Sequence, residues 1–117
     1  MHDDNPATTQ LGSLAELLSV VLEKEFEALQ ARDTEVLEGA QSEKVHLLNQ
    51  IADGWSLLQD EKNAESSSNN DAHLREILIS CKRKHVRNDI MLRRQIEEVK
   101  SILNTLTMQT KSQTQEV

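Results

Sequence analysis

The residues best suited to metal or acid–base chemistry are four histidines and one cysteine in a chain of 117 residues. The histidines are His2, His46, His73 and His85. Cys81 and His85 stand four positions apart, on one face of a helix, but two ligands fall short of the three or four that zinc needs. We expect no metal, and interpret Cys81 as a thiol at the core edge and His85 as a histidine in a helix seam.

Motifs for catalysis are missing from the sequence. It has no glycine-rich phosphate loop, no nucleophile elbow and no HExxH pair. Its acidic residues are spread along the chain, and a thin helical protein has little room for a concave site. We therefore expect a protein that is not an enzyme and that needs no cofactor.

A basic cluster, defined as Lys82 to Arg87, is the nearest approach to a nucleic-acid site. The net charge of −7, with one Trp, one Phe and no Tyr, argues against that function. Residues 1–70 hold four basic and fourteen acidic residues, whereas residues 71–117 hold nine and six. We expect the cluster to be a solvated face or a complement to the acidic first half.

Cysteine usage and hydropathy indicate the compartment. A single cysteine excludes an intramolecular disulfide and fits a reducing environment. The first residues are acidic, and the longest apolar run, residues 17–22, is interrupted by Ser19. Because neither a secretory signal nor a membrane span is indicated, we expect a soluble, cytoplasmic protein.

The elements that would position these residues are helices, since three Gly and one Pro give little punctuation for short strands. Ser13 begins a capping box and favours a first helix from about that residue, with Asn5-Pro6 as a competing start. The apolar stripe of this helix is Leu14, Leu18, Leu22, Phe26 and Leu29.

A second helix follows a short break, with Asp33 or Thr34 as its cap. The short break favours an antiparallel αα-hairpin. Gly54 costs this helix ~1 kcal/mol relative to Ala, and lets a neighbouring helix approach closely. Its apolar residues are Leu37, Leu48, Ile51, Trp55 and Leu58, widened by Ala40, Val45 and Leu47.

The longest predicted helix runs from Asp71 to Leu106, after a Ser/Asn-rich loop at residues 60–70. We expect it to be the scaffold for the two shorter helices. Its first half places Leu74, Ile77, Leu78 and Cys81 on one seam. The fold prediction is an all-α, antiparallel bundle of three long helices with coiled-coil-like packing. It comprises a flexible N-terminus (1–12), one helical domain (13–106) and a disordered tail (107–117).

From Asn88 to Leu106 the apolar residues spread wider than one seam requires. Packing of this helix against two others would use that width. The other interpretation is that the helix packs along only part of its length, and that its amphipathic end binds another protein. Exposed apolar area of that kind is otherwise a solubility liability.

Two segments resemble the FlgN family of flagellar export chaperones. One is Leu29-Gln30-Ala31-Arg32-Asp33, leading to Val36-Leu37 and then to Ser42-Glu43-Lys44 before Leu47-Leu48. The other is Arg87-Asn88-Asp89-Ile90-Met91-Leu92, followed by Gln95-Ile96. The family often has Gly after the Asn, where this chain has Asp89.

The resemblance implies a small cytoplasmic chaperone that binds the disordered terminal segments of unassembled hook-associated proteins. It would prevent their premature polymerisation and deliver them to the flagellar export apparatus. By position, the C-terminal helix would hold the substrate through Asn88, Met91, Leu92, Ile96, Val99, Ile102, Leu103 and Leu106. Asn88 is equally consistent with a polar residue that sets the register of the seam. A self-associating helical scaffold is the alternative function, and nucleic-acid binding is a less favoured one.

Overall fold

The computed structural model describes residues 6–62 and 69–115, and within them the side chains of residues 9–56 and 72–109. The helices are α1 (Pro6–Ala31), α2 (Thr34–Lys62) and α3 (Asn69–Gln115). These residues contain no strand, so the predicted all-α fold is confirmed. The radius of gyration is 21.2 Å. A compact domain of this length would have about 13 Å, so the bundle is elongated.

Two helix ends differ from the sequence-based expectation. α1 begins at Pro6 and not at Ser13, because Pro at the first helical position lacks only an N–H that has no partner there anyway. α3 ends at Gln115, so the tail predicted to be disordered is helical as far as that residue. Of the predicted loop at residues 60–70, only residues 63–68 are outside the described helices. Residues 1–5 of the predicted flexible N-terminus also lie outside the described residues.

α1 passes into α2 through a two-residue connection. Arg32 adopts a left-handed conformation with φ of 56°. The amide of Asp33 donates to the carbonyl of Ala28 at 2.9 Å, and that of Arg32 to the carbonyl of Leu29 at 3.2 Å. This is the Schellman pattern that closes a helix C-terminus. Asp33 then caps α2, since its Oδ1 accepts a hydrogen bond from the amide of Val36 at 3.2 Å.

α1 is the central helix of the bundle. Both α2 and α3 pack against it, whereas among the described residues the backbones of α2 and α3 do not come within 8 Å of each other, measured between Cα atoms. Leu11, early in α1, lies against Gly54, late in α2, whereas Glu25 pairs with Lys44. The two helices are therefore antiparallel. α3 was expected to be the scaffold, but its great length does not make it central. The shorter α1 is central because it buries two faces, one toward each neighbour.

The buried residues of α1 follow the heptad spacing of a coiled coil. They are Leu11, Ala15, Leu18, Leu22, Glu25 and Leu29, with Val21 and Ala28 beside them. The predicted stripe differs from the buried series at two positions: Leu14 is partly buried and packs against the core, and Phe26 is partly buried. Ala15 and Glu25 are buried beside them.

The other two helices meet α1 through shorter apolar stripes. α2 buries Ala40, Leu47 and Ile51. Leu48, predicted in its apolar stripe, and Val45, predicted to widen that stripe, are exposed. The predicted seam of α3 is confirmed: Leu74 and Cys81 are buried, and Ile77 and Leu78 pack against the core. No helix in the described part of the chain has the length and apolarity needed to cross a bilayer.

Gly54 lies in close contact with α1, as predicted from the glycine in the sequence of α2. A Cβ atom at residue 54 would lie 2.7 Å from Cδ2 and 3.3 Å from Cγ of Leu11, which is itself buried. We expect Gly54→Ala to lower the free energy of unfolding by ~1 kcal/mol, since overpacking outweighs the gain in helix propensity. Urea unfolding followed by circular dichroism measures the effect.

The matched control is Gly39→Ala in the same helix, where a Cβ would meet nothing within 4 Å. This variant should be more stable than the wild type by ~0.5–1 kcal/mol. Equal stabilisation by both substitutions would show that Leu11 moves aside freely.

Candidate functional site

A buried polar layer crosses the middle of the bundle, with one residue from each helix. Glu25 of α1 and Asn88 of α3 are each 2% exposed. Nζ of Lys44, from α2, donates to Oε2 of Glu25 at 2.8 Å. Nδ2 of Asn88 donates to Oε1 of Glu25 at 2.8 Å, so both carboxylate oxygens have a partner.

Asn88 also belongs to a ladder of bonds that aligns α3 with α1. Its Nδ2 contacts the carbonyl oxygen of Leu22 at 2.8 Å. One heptad earlier, Sγ of Cys81 donates to the carbonyl of Ala15 at 3.5 Å; one heptad later, Nε2 of Gln95 donates to that of Leu29 at 2.7 Å. The offset between partners is 66 residues in all three bonds, so α1 and α3 are parallel and in a single register.

The polar layer should respond unequally to single and combined substitutions. Lys44→Leu leaves the Glu25 carboxylate buried without a cation, and should lower the free energy of unfolding by ~3–5 kcal/mol. Replacing Glu25, Lys44 and Asn88 together by Leu should restore stability to about the wild-type value or above, since apolar packing often equals a buried ion pair. Urea unfolding measures both variants.

Lys24→Leu is the control, because Lys24 pairs with Glu43 at 4.0 Å on the surface and both side chains are more than half exposed. Its effect should stay within about 0.5 kcal/mol. A Lys44→Leu variant as stable as this control would contradict the role assigned to the layer.

Arg87 joins the polar layer to the basic cluster. Its Nε donates to Oδ1 of Asn88 at 3.0 Å and its Nη2 to Oε1 of Glu23 at 3.0 Å. The guanidinium carbon lies 3.7 Å from the centroid of the Phe26 ring. Lys84 reaches Ser19 Oγ at 2.8 Å and Glu23 at 3.6 Å. Part of the basic cluster therefore complements α1.

These contacts lower the pKa of Glu23 below its ordinary value of 4.5. The hydrogen bond from Arg87 is the largest cause, the charges of Arg87 and Lys84 add to it, and partial burial opposes it. A carboxylate with a lowered folded-state pKa contributes stability above its unfolded-state pKa, and loses that contribution as the pH falls through the folded-state value.

The stabilisation by Glu23 should therefore depend on pH. Glu23→Gln should be less stable than the wild type at pH 7, and the difference should shrink as the pH falls below 4.5. Urea unfolding across this range measures it. Glu27→Gln is the control, since Glu27 is exposed and has no ion pair among the described residues. A Glu23 difference that persists unchanged at low pH would contradict the assignment.

The packing of α3 on α1 ends near Glu98, whose Oε2 accepts a hydrogen bond from Nη2 of Arg32 at 2.9 Å. α1 has ended at Ala31, whereas α3 continues to Gln115, about 25 Å further at 1.5 Å per residue. Every residue from 96 to 109 is exposed. The end of α3 therefore extends beyond the rest of the bundle.

Apolar residues on this extension continue the face that contacts α1. Val99 and Leu106 follow Leu92 at successive intervals of seven, and Ile102 follows Gln95 at the same interval. Residues seven apart lie on one face of a coiled-coil helix. We call the exposed apolar surface at this point of α3 the free seam; its members are Val99 and Ile102 on that face, with Ile96 and Leu103 beside it.

The structure divides the predicted substrate-holding residues into three groups. Asn88 is buried, with its amide bonded inside the bundle, as in the second interpretation given for it from the sequence. Met91 and Leu92 are partly buried. Ile96, Val99, Ile102 and Leu103 form the free seam; Leu106, the last of the eight residues, and Met108 beyond it are also exposed.

Sequence reasoning missed Glu25 and Lys44. A signal for Glu25 was present, because it falls between Leu22 and Leu29 at the heptad spacing. Lys44 interrupted the predicted register of α2; it is partly buried, with its side chain 14% exposed, because it pairs with Glu25. The polar layer could therefore have been inferred from polar residues that stand at apolar positions of a heptad series.

Cys81 and His85, the pair considered for metal binding, differ in their exposure to solvent. Cys81 is buried and His85 is exposed. Burial raises the pKa of the Cys81 thiol, and the nearby charge of Lys84 opposes the shift. The described residues contain no group of three or more His, Cys, Asp or Glu placed to hold a metal ion.

Comparisons with protein-family models, with curated proteins and with solved structures found no match. The resemblance to FlgN chaperones therefore rests on its two sequence segments. In the fold, the first of them begins with the turn between α1 and α2, and the second holds Asn88 and Arg87 at the polar layer.

Proposed function

We propose that this protein is a cytoplasmic flagellar export chaperone of the FlgN type, which holds unassembled hook-associated proteins before their export. The free seam is the observation that supports the proposal. Val99 and Ile102 continue the heptad spacing of the interface between α1 and α3, yet they lie beyond the end of α1. Such a face is suited to an amphipathic helix from another protein.

The partner helix would take the place along α3 that α1 occupies closer to the polar layer. Fully burying an Ile, Leu or Val side chain contributes about 1.5–3 kcal/mol. Ordering a disordered segment consumes ~2–5 kcal/mol or more of the interaction energy. The net affinity would be moderate, which suits a chaperone that must release its substrate.

Hook-associated proteins offer suitable segments, since by the family resemblance their disordered termini form helical bundles only on assembly. A chaperone helix that covers their apolar stripes prevents premature polymerisation. The complex is then delivered to components of the flagellar export apparatus. A single free thiol, Cys81, agrees with a reducing compartment such as the cytoplasm.

A self-associating scaffold is the second candidate, because a second copy of the same apolar face could cover the free seam. Nucleic-acid binding is less favoured, since Glu23 already neutralises part of the charge of Lys84 and Arg87. The two main candidates differ in what covers Ile102: a hook-associated protein or another copy of this chain.

Ile102→Asp should weaken binding to a purified hook-associated protein about 100-fold, because it introduces a charge into the centre of the apolar contact. Isothermal titration calorimetry measures the affinity. Ile79→Asp is the matched control: Ile79 is on the same helix and 52% exposed, against 60% for Ile102, but faces away from the seam. It should bind as tightly as the wild type.

Light scattering on the free protein separates the two candidates. A 1:1 complex that fails to form with a chain truncated after Glu98 supports the chaperone, since this truncation spares the contacts between α1 and α3. A stable oligomer that Ile102→Asp dissociates, and that binds no hook-associated protein, supports the scaffold. Undiminished substrate binding by Ile102→Asp contradicts the proposed site.

A further inference from the structure

A groove runs between α1 and α3 near the C-terminal end of α1, with a volume of about 540 Å³. No residue of α2 lines it. Its apolar side chains are Phe26, Ile90 and Met91, and its basic side chains are Arg32, Arg87 and Arg94. The groove therefore combines an apolar floor with positive charge.

Arg87 is held in position before any ligand arrives. It lies over Phe26 and is bonded to Glu23 and Asn88, so three contacts restrain its side chain. An arginine already held in place loses less conformational entropy when it binds a carboxylate. The planar guanidinium also offers several donors at once.

The charges within the groove do not cancel. Glu98 is the acidic residue that lines it, and Arg32 already pairs with this carboxylate. Arg87 shares its charge with Glu23. Arg94 has no acidic partner among the described residues, so positive charge is in excess here although the whole chain carries −7.

The groove is continuous with the free seam. Gln95 and Glu98 line the groove; Gln95 bonds to Leu29 of α1, and Glu98 bonds to Arg32 in the connection that follows α1. Val99 and Ile102 of the free seam follow Gln95 by four and seven positions, so they lie on the same face of α3 as this groove residue. A helix that lies along the free seam therefore comes beside Arg94 and the groove.

We propose that this groove binds the acidic flank of the partner helix, so that the preferred partner is an amphipathic helix with Asp or Glu beside its apolar stripe. This inference rests on the proposed function for the identity of the partner, but the chemistry it names can be tested separately. Apolar contacts along the free seam provide affinity, and the arginine-lined groove selects for acidic flanks and for their alignment along α3.

The test uses the full-length chain and synthetic amphipathic helices about 20 residues long, enough for roughly five turns. The peptides share one Leu stripe and carry Glu, Gln or Lys beside it. The wild type should bind the Glu peptide about tenfold more tightly than the Gln peptide, and this preference should weaken with added salt. Fluorescence anisotropy measures the affinities.

Arg94→Glu should remove the preference for the Glu peptide and bind the Lys peptide better than the wild type does, because the charge of the groove is reversed. Arg75→Glu is the matched control, since it makes the same charge change on an exposed residue of α3 outside the groove. It should keep the wild-type order of peptides. Equal binding of the Glu and Gln peptides by the wild type would overturn the proposal.

Parallel titrations with a hook-associated protein separate this inference from the proposed function. Binding that is identical for the wild type and Arg94→Glu, with no preference among the peptides, overturns the groove and leaves the chaperone function intact. A Glu-peptide preference without hook-associated protein binding supports the groove and contradicts that function. A dimer that requires Arg94 and excludes the peptides assigns the groove to a second copy, and overturns the proposal.

Discussion

The buried carboxylate of Glu25 is the constraint on which the arrangement of the three helices depends. An ionised side chain removed from water is strongly unfavourable unless it is paired and hydrogen-bonded. Here one partner comes from α2 and the other from α3. Apolar heptads repeat every seven residues, and by themselves they would tolerate a slip of one repeat. The polar layer does not, because a slip would place Cys81 or Gln95, and no longer Asn88, opposite Glu25.

The same register decides how much of α3 is left exposed. With Asn88 beside Leu22 and Gln95 beside Leu29, α1 ends just where the free seam begins. The Schellman turn at Arg32 then directs the chain back into α2 and away from the extension of α3. A contact in the middle of the bundle therefore sets the length of the face proposed to hold a partner. The polar layer thus sets both the register of the helices and the extent of the exposed apolar residues.

The uneven distribution of charge along the chain has a structural counterpart. The acidic first half and the basic cluster meet between α1 and α3, where Glu23 pairs with Lys84 and Arg87. Pairs that keep contact with solvent contribute little to stability, but Arg87 also touches Asn88 and Phe26. It therefore connects the polar layer to the groove proposed to select acidic partners. Positive charge left over from this pairing remains at Arg94.

The sequence alone determined the three helices, a cap of α2 at Asp33 or Thr34, and the seam from Leu74 to Cys81, because these depend on local spacing and capping. It also indicated that the apolar residues after Asn88 exceed one seam. Only the tertiary structure decided that Glu25 is buried while Phe26 is not. Hydrophobicity alone would bury Phe26 before Glu25. The two groups that stabilise the buried carboxylate, from Lys44 and Asn88, are 19 and 63 residues away along the chain. Likewise, Leu92 and Val99 share one helix face, and only the position at which α1 ends leaves Val99 exposed.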